Sequence, residues 1–179
     1  MNISSLHIDN LNFAKKGERL EGWLDLSACP RLGELLLSQA SDGVNEKSLS
    51  STAAKIDVLL QGKVDAQGRS WIRAEIKANL STYCQRCFEP LPLSLALNFS
   101  YLIAETDQEA GDELALDDND EYDLQEPDKA MSVAALIEDE LIMALPIAPV
   151  HDFDCVELTR QAGEKPNPFA ALKDLMKKP

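Results

Sequence analysis

The feature that most constrains this chain is an alternation of apolar and polar residues sustained through three long consecutive segments. Ile56, Val58, Leu60, Gly62 and Val64 alternate with mostly polar neighbours. A turn signal around Gly68 follows, after which Ile72, Ala74, Ile76, Ala78 and Leu80 alternate with Arg73, Glu75, Lys77 and Asn79. Beyond residues 84–90 the pattern resumes at Leu91, Leu93, Leu95, Leu97, Phe99, Tyr101 and Ile103. Successive side chains of a strand point to opposite faces. A period of two over three segments with short links therefore predicts an antiparallel meander with one face buried.

Shorter elements flank this centre. Asp9 caps a helix expected to reach Lys16, and residues 20–26 read as a strand. Ser27, just ahead of Pro30, suits the start of a second helix reaching about Gln39, with Leu32, Leu35 and Leu36 facing inward. Residues 41–52 are rich in Ser, Gly, Asn and Asp and read as a connection. Residues 122–124 are expected to form a short strand. Ser132 then caps a helix to about Leu145, with Val133, Leu136, Ile137, Leu141, Ala144 and Leu145 on one stripe. Pro146 and Pro149 end that helix and force an extended path towards His151. A last helix is expected from Asn167-Pro168, with Phe169, Leu172, Leu175 and Met176 on its apolar side. The fold class is α+β: a single domain over residues 1–179, built on an antiparallel meander of about five strands, curved towards a barrel, with packed helices.

The net charge of −14 argues against nucleic acid only until it is located. Residues 105–128 hold 12 acids and no Lys or Arg, which leaves 19 acids against 17 bases elsewhere. The acidity belongs to one segment, expected to be a solvated, mobile loop, and the remaining body is close to neutral. Such a segment suits contact with a basic partner, or simply solubility. Asp117, Asn119 and Glu121 begin like a calcium loop, but the sixth position is Tyr122 where that loop needs Gly. The longest uncharged apolar run, residues 141–150, is too short for a bilayer and holds two prolines, so no membrane role is expected. The N-terminus lacks the pattern of a secretory signal, and the expected setting is cytoplasmic with reduced thiols.

Of the four cysteines, Cys84 and Cys87 lie two residues apart in the tight link between two predicted strands. A hairpin tip of that kind is half of a zinc site, and a tetrahedral site needs two more ligands. His151 and Cys155 are the distant pair with suitable spacing. A Cys84, Cys87, His151, Cys155 set would tie the C-terminal segment to the sheet. Two other readings stand beside it. A metal-free packed turn needs no ion, and a redox pair needs a helix N-terminus that antiparallel flanks do not supply.

A second candidate surface is the outward side of the same strands, where Lys55, Lys63, Arg73 and Lys77 fall together with Trp71. Cations with an aromatic can track phosphates and stack a base, and a solvated face with cross-strand pairs to Asp57 and Glu75 explains the same residues. Glu138-Asp139-Glu140 forms no hydrolase pair, since nothing places an opposing carboxylate; Glu140 falls nearest the apolar stripe and Glu138 is expected to point away.

Three blocks together resemble one family. They are Cys84-Gln85-Arg86-Cys87; Ile137-Glu138-Asp139-Glu140-Leu141 running into Ala144 to Asp152; and Lys165-Pro166-Asn167-Pro168-Phe169. In order and spacing they are similar to the YceD family of bacterial proteins with plastid relatives, the large ribosomal RNA subunit accumulation proteins. The likeness is close over about residues 80–179 and loose before that. It implies a non-enzymatic factor supporting synthesis, processing or stability of 23S ribosomal RNA. Its partner would be the large-subunit precursor: the RNA, a basic ribosomal protein or an RNA-processing factor. Many members look as if they carry a second cysteine pair where this chain has His151 and Cys155. The alternative reading is a zinc-dependent interaction module that recruits a ribonuclease or ribosomal protein.

Overall fold

The computed structural model describes residues 1–37, 54–104 and 122–155. Its elements, in chain order, are β1 (His7–Ile8), α1 (Asn10–Lys16), β2 (Arg19–Asp25), a 3₁₀ turn at Leu26–Ala28, α2 (Pro30–Leu37), β3 (Lys55–Val64), β4 (Ser70–Tyr83), β5 (Pro90–Ile103), β6 (Asp123–Gln125), β7 (Met131–Ser132) and α3 (Val133–Met143). Five strands form one sheet in the order β2-β3-β4-β5-β6, and β1 pairs with β7 in a small second sheet. The class is α+β, as the sequence pattern implies.

The antiparallel expectation holds from β2 to β5 and fails at the edge. β6 runs parallel to β5, with Tyr101 opposite Asp123 and Ile103 opposite Gln125. A hairpin cannot deliver a parallel neighbour, whereas the long stretch between β5 and β6 supplies the chain that such a return needs. Nor does the sheet close into a barrel, because β2 and β6 remain its two edges. The β2 edge is covered by the N-terminus: Ile3 N–H donates to Trp23 O at 3.0 Å, and Trp23 N–H donates to Met1 O at 2.9 Å.

Burial follows the alternation. Ile56, Val58, Leu60, Ile72, Ala74, Ile76, Ala78 and Leu80 are all buried, in one cluster with Phe13 and Ala14 of α1, Leu32 and Leu36 of α2, and Ile137 and Leu141 of α3. Leu93, Leu95, Leu97 and Phe99 of β5 are only partly buried against it. Val64 and Leu35 depart from the expected inward set and are exposed. Val64 is the last residue of its strand, and Leu35 lines an open groove with Thr82, Ile142 and Ile147.

Helix α1 is fixed at both ends. Asp9 Oδ1 accepts from Asn12 N at 2.9 Å, and Gly17, at φ 62°, turns the chain back with its N–H on Ala14 O. The helix also touches the sheet closely: a Cβ on Gly62 would sit 2.3 Å from Phe13 O. Glycine at that inward position is thus a contact requirement and not a gap in the pattern. Ser27 does not start α2. It lies in the 3₁₀ turn, and Pro30 takes the first helical position, where its missing N–H is harmless.

At Glu138 the structure reverses the expectation: it is 4% exposed. Its carboxylate accepts from Arg31 Nε at 3.1 Å, Arg31 Nη2 at 2.9 Å and the Leu32 N–H at 3.1 Å, so it holds the first turn of α2 against α3. A buried carboxylate is stable there because a guanidinium and an unpaired helix N–H both reach it. Asp139 meets the same arginine at 2.7 Å, and Glu140 accepts from the Tyr101 hydroxyl. Buried Asn10 ties α1 to the chain between β6 and β7, donating to Glu126 O and accepting from Asp128 N–H, both at 2.9 Å. Of residues 105–128, therefore, the last few run along the body, and the strand expected at 122–124 is β6. Residues 105–121, the connection at 41–52 and the helix expected from Asn167 lie outside the described residues.

Candidate metal centre

The β4–β5 ladder ends at Tyr83 opposite Pro90, leaving six residues to make the turn. Cys84 N–H donates to Glu89 O at 2.9 Å and Phe88 N–H to Cys84 O at 2.8 Å, so the tip is a single helical turn. Phe88 closes it at φ 60°, a left-handed conformation that suits glycine and costs an ordinary side chain about 1–2 kcal/mol. The turn brings Cys84 and Cys87 to one side.

The other half arrives from α3. Pro149 O accepts from Gln85 N–H at 2.8 Å, which docks the segment onto the hairpin. Arg86 then reaches across, and its Nη2 donates to the carbonyls of both His151 and Phe153 at 2.6 Å. A planar guanidinium can hold two acceptors at once, so one side chain fixes the path of residues 151–153. The Phe153 ring stacks on His151, centroids 4.8 Å apart.

Held this way, the donor atoms of Cys84, Cys87, His151 and Cys155 all lie within 4.8 Å of one another. Cys84 Sγ is 3.7 Å from Cys155 Sγ, and Cys87 Sγ is 3.4 Å from His151 Nδ1. Tetrahedral zinc, with its usual bond lengths, sets sulfurs about 3.8 Å apart and sulfur and nitrogen about 3.6 Å apart. The donor set and its spacing fit that ion. The thiols are unequal. Burial would raise Cys84, but backbone N–H groups of Cys87, Arg86 and His151 outweigh it and bring the thiol down to about 5. Burial and the neighbouring sulfurs of Cys87 and Cys84 push Cys155 up. Cys29 is apart from the site, a core residue whose thiol is raised to about 11 by burial and by the Glu138 carboxylate.

The second predicted surface also comes together on one side of the sheet. Register sets Lys63 opposite Trp71, Gln61 opposite Arg73 and Asp57 opposite Lys77, while Lys55 extends 4.5 Å over the ring of Trp23. Trp71 is engaged within the protein: its Nε1 donates to Asp65 at 2.9 Å, Arg69 lies over its ring and Tyr122 meets it edge-on at 5.0 Å. Arg19, Glu21 and Trp23 also belong to this face and line a shallow groove with Asp57, Glu75 and Lys77. Sequence reading missed them because β2 is short and its alternation weak. The groove lining holds more acids than bases.

Fold and centre define a class: an α+β protein whose long hairpin meets residues 149–155 at a Cys3His cluster. The chain belongs to the YceD family, whose model, described as "Large ribosomal RNA subunit accumulation protein YceD", matches residues 72–176. A protein of that name from Haemophilus influenzae is 27% identical over 189 aligned residues, spanning 97% of this chain and 96% of its own. No solved structure matches. Among the described residues no helix is long and apolar enough to cross a membrane.

Proposed function

We propose that this chain supports the accumulation of 23S ribosomal RNA as a non-enzymatic, cytoplasmic factor of large-subunit assembly. One observation carries the reading: the YceD family match over residues 72–176, joined by a relative of that name aligned along nearly its whole length. The Cys84, Cys87, His151, Cys155 cluster takes zinc as a structural ion. Its support is the donor spacing described above and the lack of an open position once all four residues bind. Bound zinc would cross-link the hairpin to residues 151–155 and stabilise the folded chain.

The immediate partner is a basic protein, or RNA already dressed with protein. The mixed charge of the outward sheet face supports this, as does the concentration of acid in residues 105–128. Lys55, Lys63, Arg73 and Lys77 contribute what direct RNA contact there is, weak and steeply dependent on salt, while Trp71 stiffens that face. The test is the ratio of mature 23S to 16S RNA in cells lacking the protein. The expected result is a selective fall in 23S with precursor or decay products in its place; an unchanged ratio would overturn the reading.

A further inference from the structure

We propose that the exposed apolar residues flanking the Cys/His centre, Phe88, Val150 and Phe153, form a docking face for a protein segment bearing both apolar anchors and Lys or Arg. These residues are 50%, 42% and 64% exposed. Single exposed apolar residues are ordinary, but three on the two segments that meet at one centre suit an interaction surface. Those segments meet because Arg86 fixes the carbonyls of His151 and Phe153, and Pro149 is bonded to Gln85.

Phe88 adds an independent argument. An exposed aromatic stands at φ 60°, where the backbone favours glycine, so the chain bears strain and unfavourable exposure at the same residue. Strain held at a surface aromatic points to a use for the ring.

Charge selects the occupant. Among the described residues, Glu89, Asp152 and Asp154 are exposed next to these side chains in the chain, and Asp154 pairs with Arg86 at 3.6 Å. Such a rim repels phosphates and attracts ammonium and guanidinium groups, so it fits a basic protein segment and not RNA. The inference rests on the proposed function in taking a large-subunit ribosomal protein as the source of that segment.

The test places a photoreactive benzoylphenylalanine at position 153 of the full-length, zinc-loaded protein. This is irradiated with RNA-free total protein of the large ribosomal subunit, and separately with naked 23S RNA. The expected result is an adduct with a basic large-subunit protein. No adduct, or adducts only with RNA, a second copy or residues 156–179 of the same chain, would overturn the proposal. Phe88→Gly supplies a second arm, since it relieves the backbone while removing the ring. Metal content should hold and melting temperature should hold or rise, while adduct yield falls roughly tenfold, as loss of a central aromatic anchor implies; an undiminished yield would refute the docking face. In a deletion strain, wild-type protein should restore the 23S to 16S ratio and Phe153→Ser should not. Restoration by Phe153→Ser overturns the docking face alone, whereas a deletion strain with a normal ratio overturns the function beneath it.

Discussion

Glu138 of α3 and Arg31 of α2, 107 positions apart in sequence, share a two-nitrogen contact at 2.9 and 3.1 Å that locks the two helices together. Because the same carboxylate also takes the Leu32 N–H, removing it strands a helix donor, while the guanidinium keeps Asp139. Glu138→Ala should therefore cost about 2–3 kcal/mol, with Arg31's solvent exposure keeping it at the low end for a broken pair. Asp139→Ala, at the exposed side of the same arginine, should cost under about 0.5 kcal/mol. Urea unfolding of both variants measures the contrast, and equal losses would show that Glu138 is not the lock.

Freshly purified, untagged protein should contain close to one zinc per chain by elemental analysis, and chelation should lower its melting temperature. Cys84→Ser should abolish the bound metal. No stoichiometric metal in the wild-type protein would refute the centre.

Arg86 is a positioning residue for that centre. Arg86→Lys keeps a positive charge and all four donors but is shorter and lacks the rigid guanidinium whose Nη2 reaches both carbonyls. Zinc affinity, measured by competition with a chromogenic chelator, should weaken by about tenfold. Unchanged affinity would mean that Pro149 and Gln85 suffice to dock the segment.

Two glycines should respond with opposite sign to the same substitution. Gly62→Ala drives a methyl into the backbone of α1 at Phe13 and should destabilise by about 2 kcal/mol or more. Gly33→Ala meets nothing within 4 Å in α2 and should stabilise by about 0.5–1 kcal/mol. Thermal denaturation of the pair decides it.

Asp65 makes acid stability sensitive to one turn. Burial would raise its carboxyl, but hydrogen bonds from Trp71, Arg69 and Gln67 outweigh it and hold the group at about 2, below its ordinary 3.8. A depressed carboxyl contributes stability that is complete above its unfolded value and vanishes as pH falls to the folded one. Asp65→Asn should thus be less stable than wild type at pH 7, with the gap closing between about pH 4 and pH 2. A gap constant with pH would assign the loss to packing alone.

The strands of the sheet were legible because their signal is local. Each alternating segment carries its own period, and β3 to β5 fall where the pattern puts them. The parallel β6 was not legible, since strand direction depends on how residues beyond the pattern return. Glu138 misled because charge normally marks the outer side of a helix, and its two partners lie on another helix far away in sequence. The Cys84, Cys87, His151, Cys155 cluster could be found because cysteine and histidine are scarce here: with two histidines and four cysteines in the chain, few sets of four exist. Arg86, which orders that set, carried no such signal. Its role exists only once two remote carbonyls are brought beside it.

The ladder between β4 and β5 pairs residues continuously from Ser70 with Ile103 to Tyr83 with Pro90. At the rise of a strand, those 14 residues separate its two ends by roughly 45 Å. The Cys/His tip stands at one end, and at the other the chain enters its acidic stretch just after Ala104. That separation exceeds the width of a small globular domain, about 34 Å across. The Cys/His tip and the start of the acidic stretch thus stand about four nanometres apart, at opposite ends of one continuously paired hairpin.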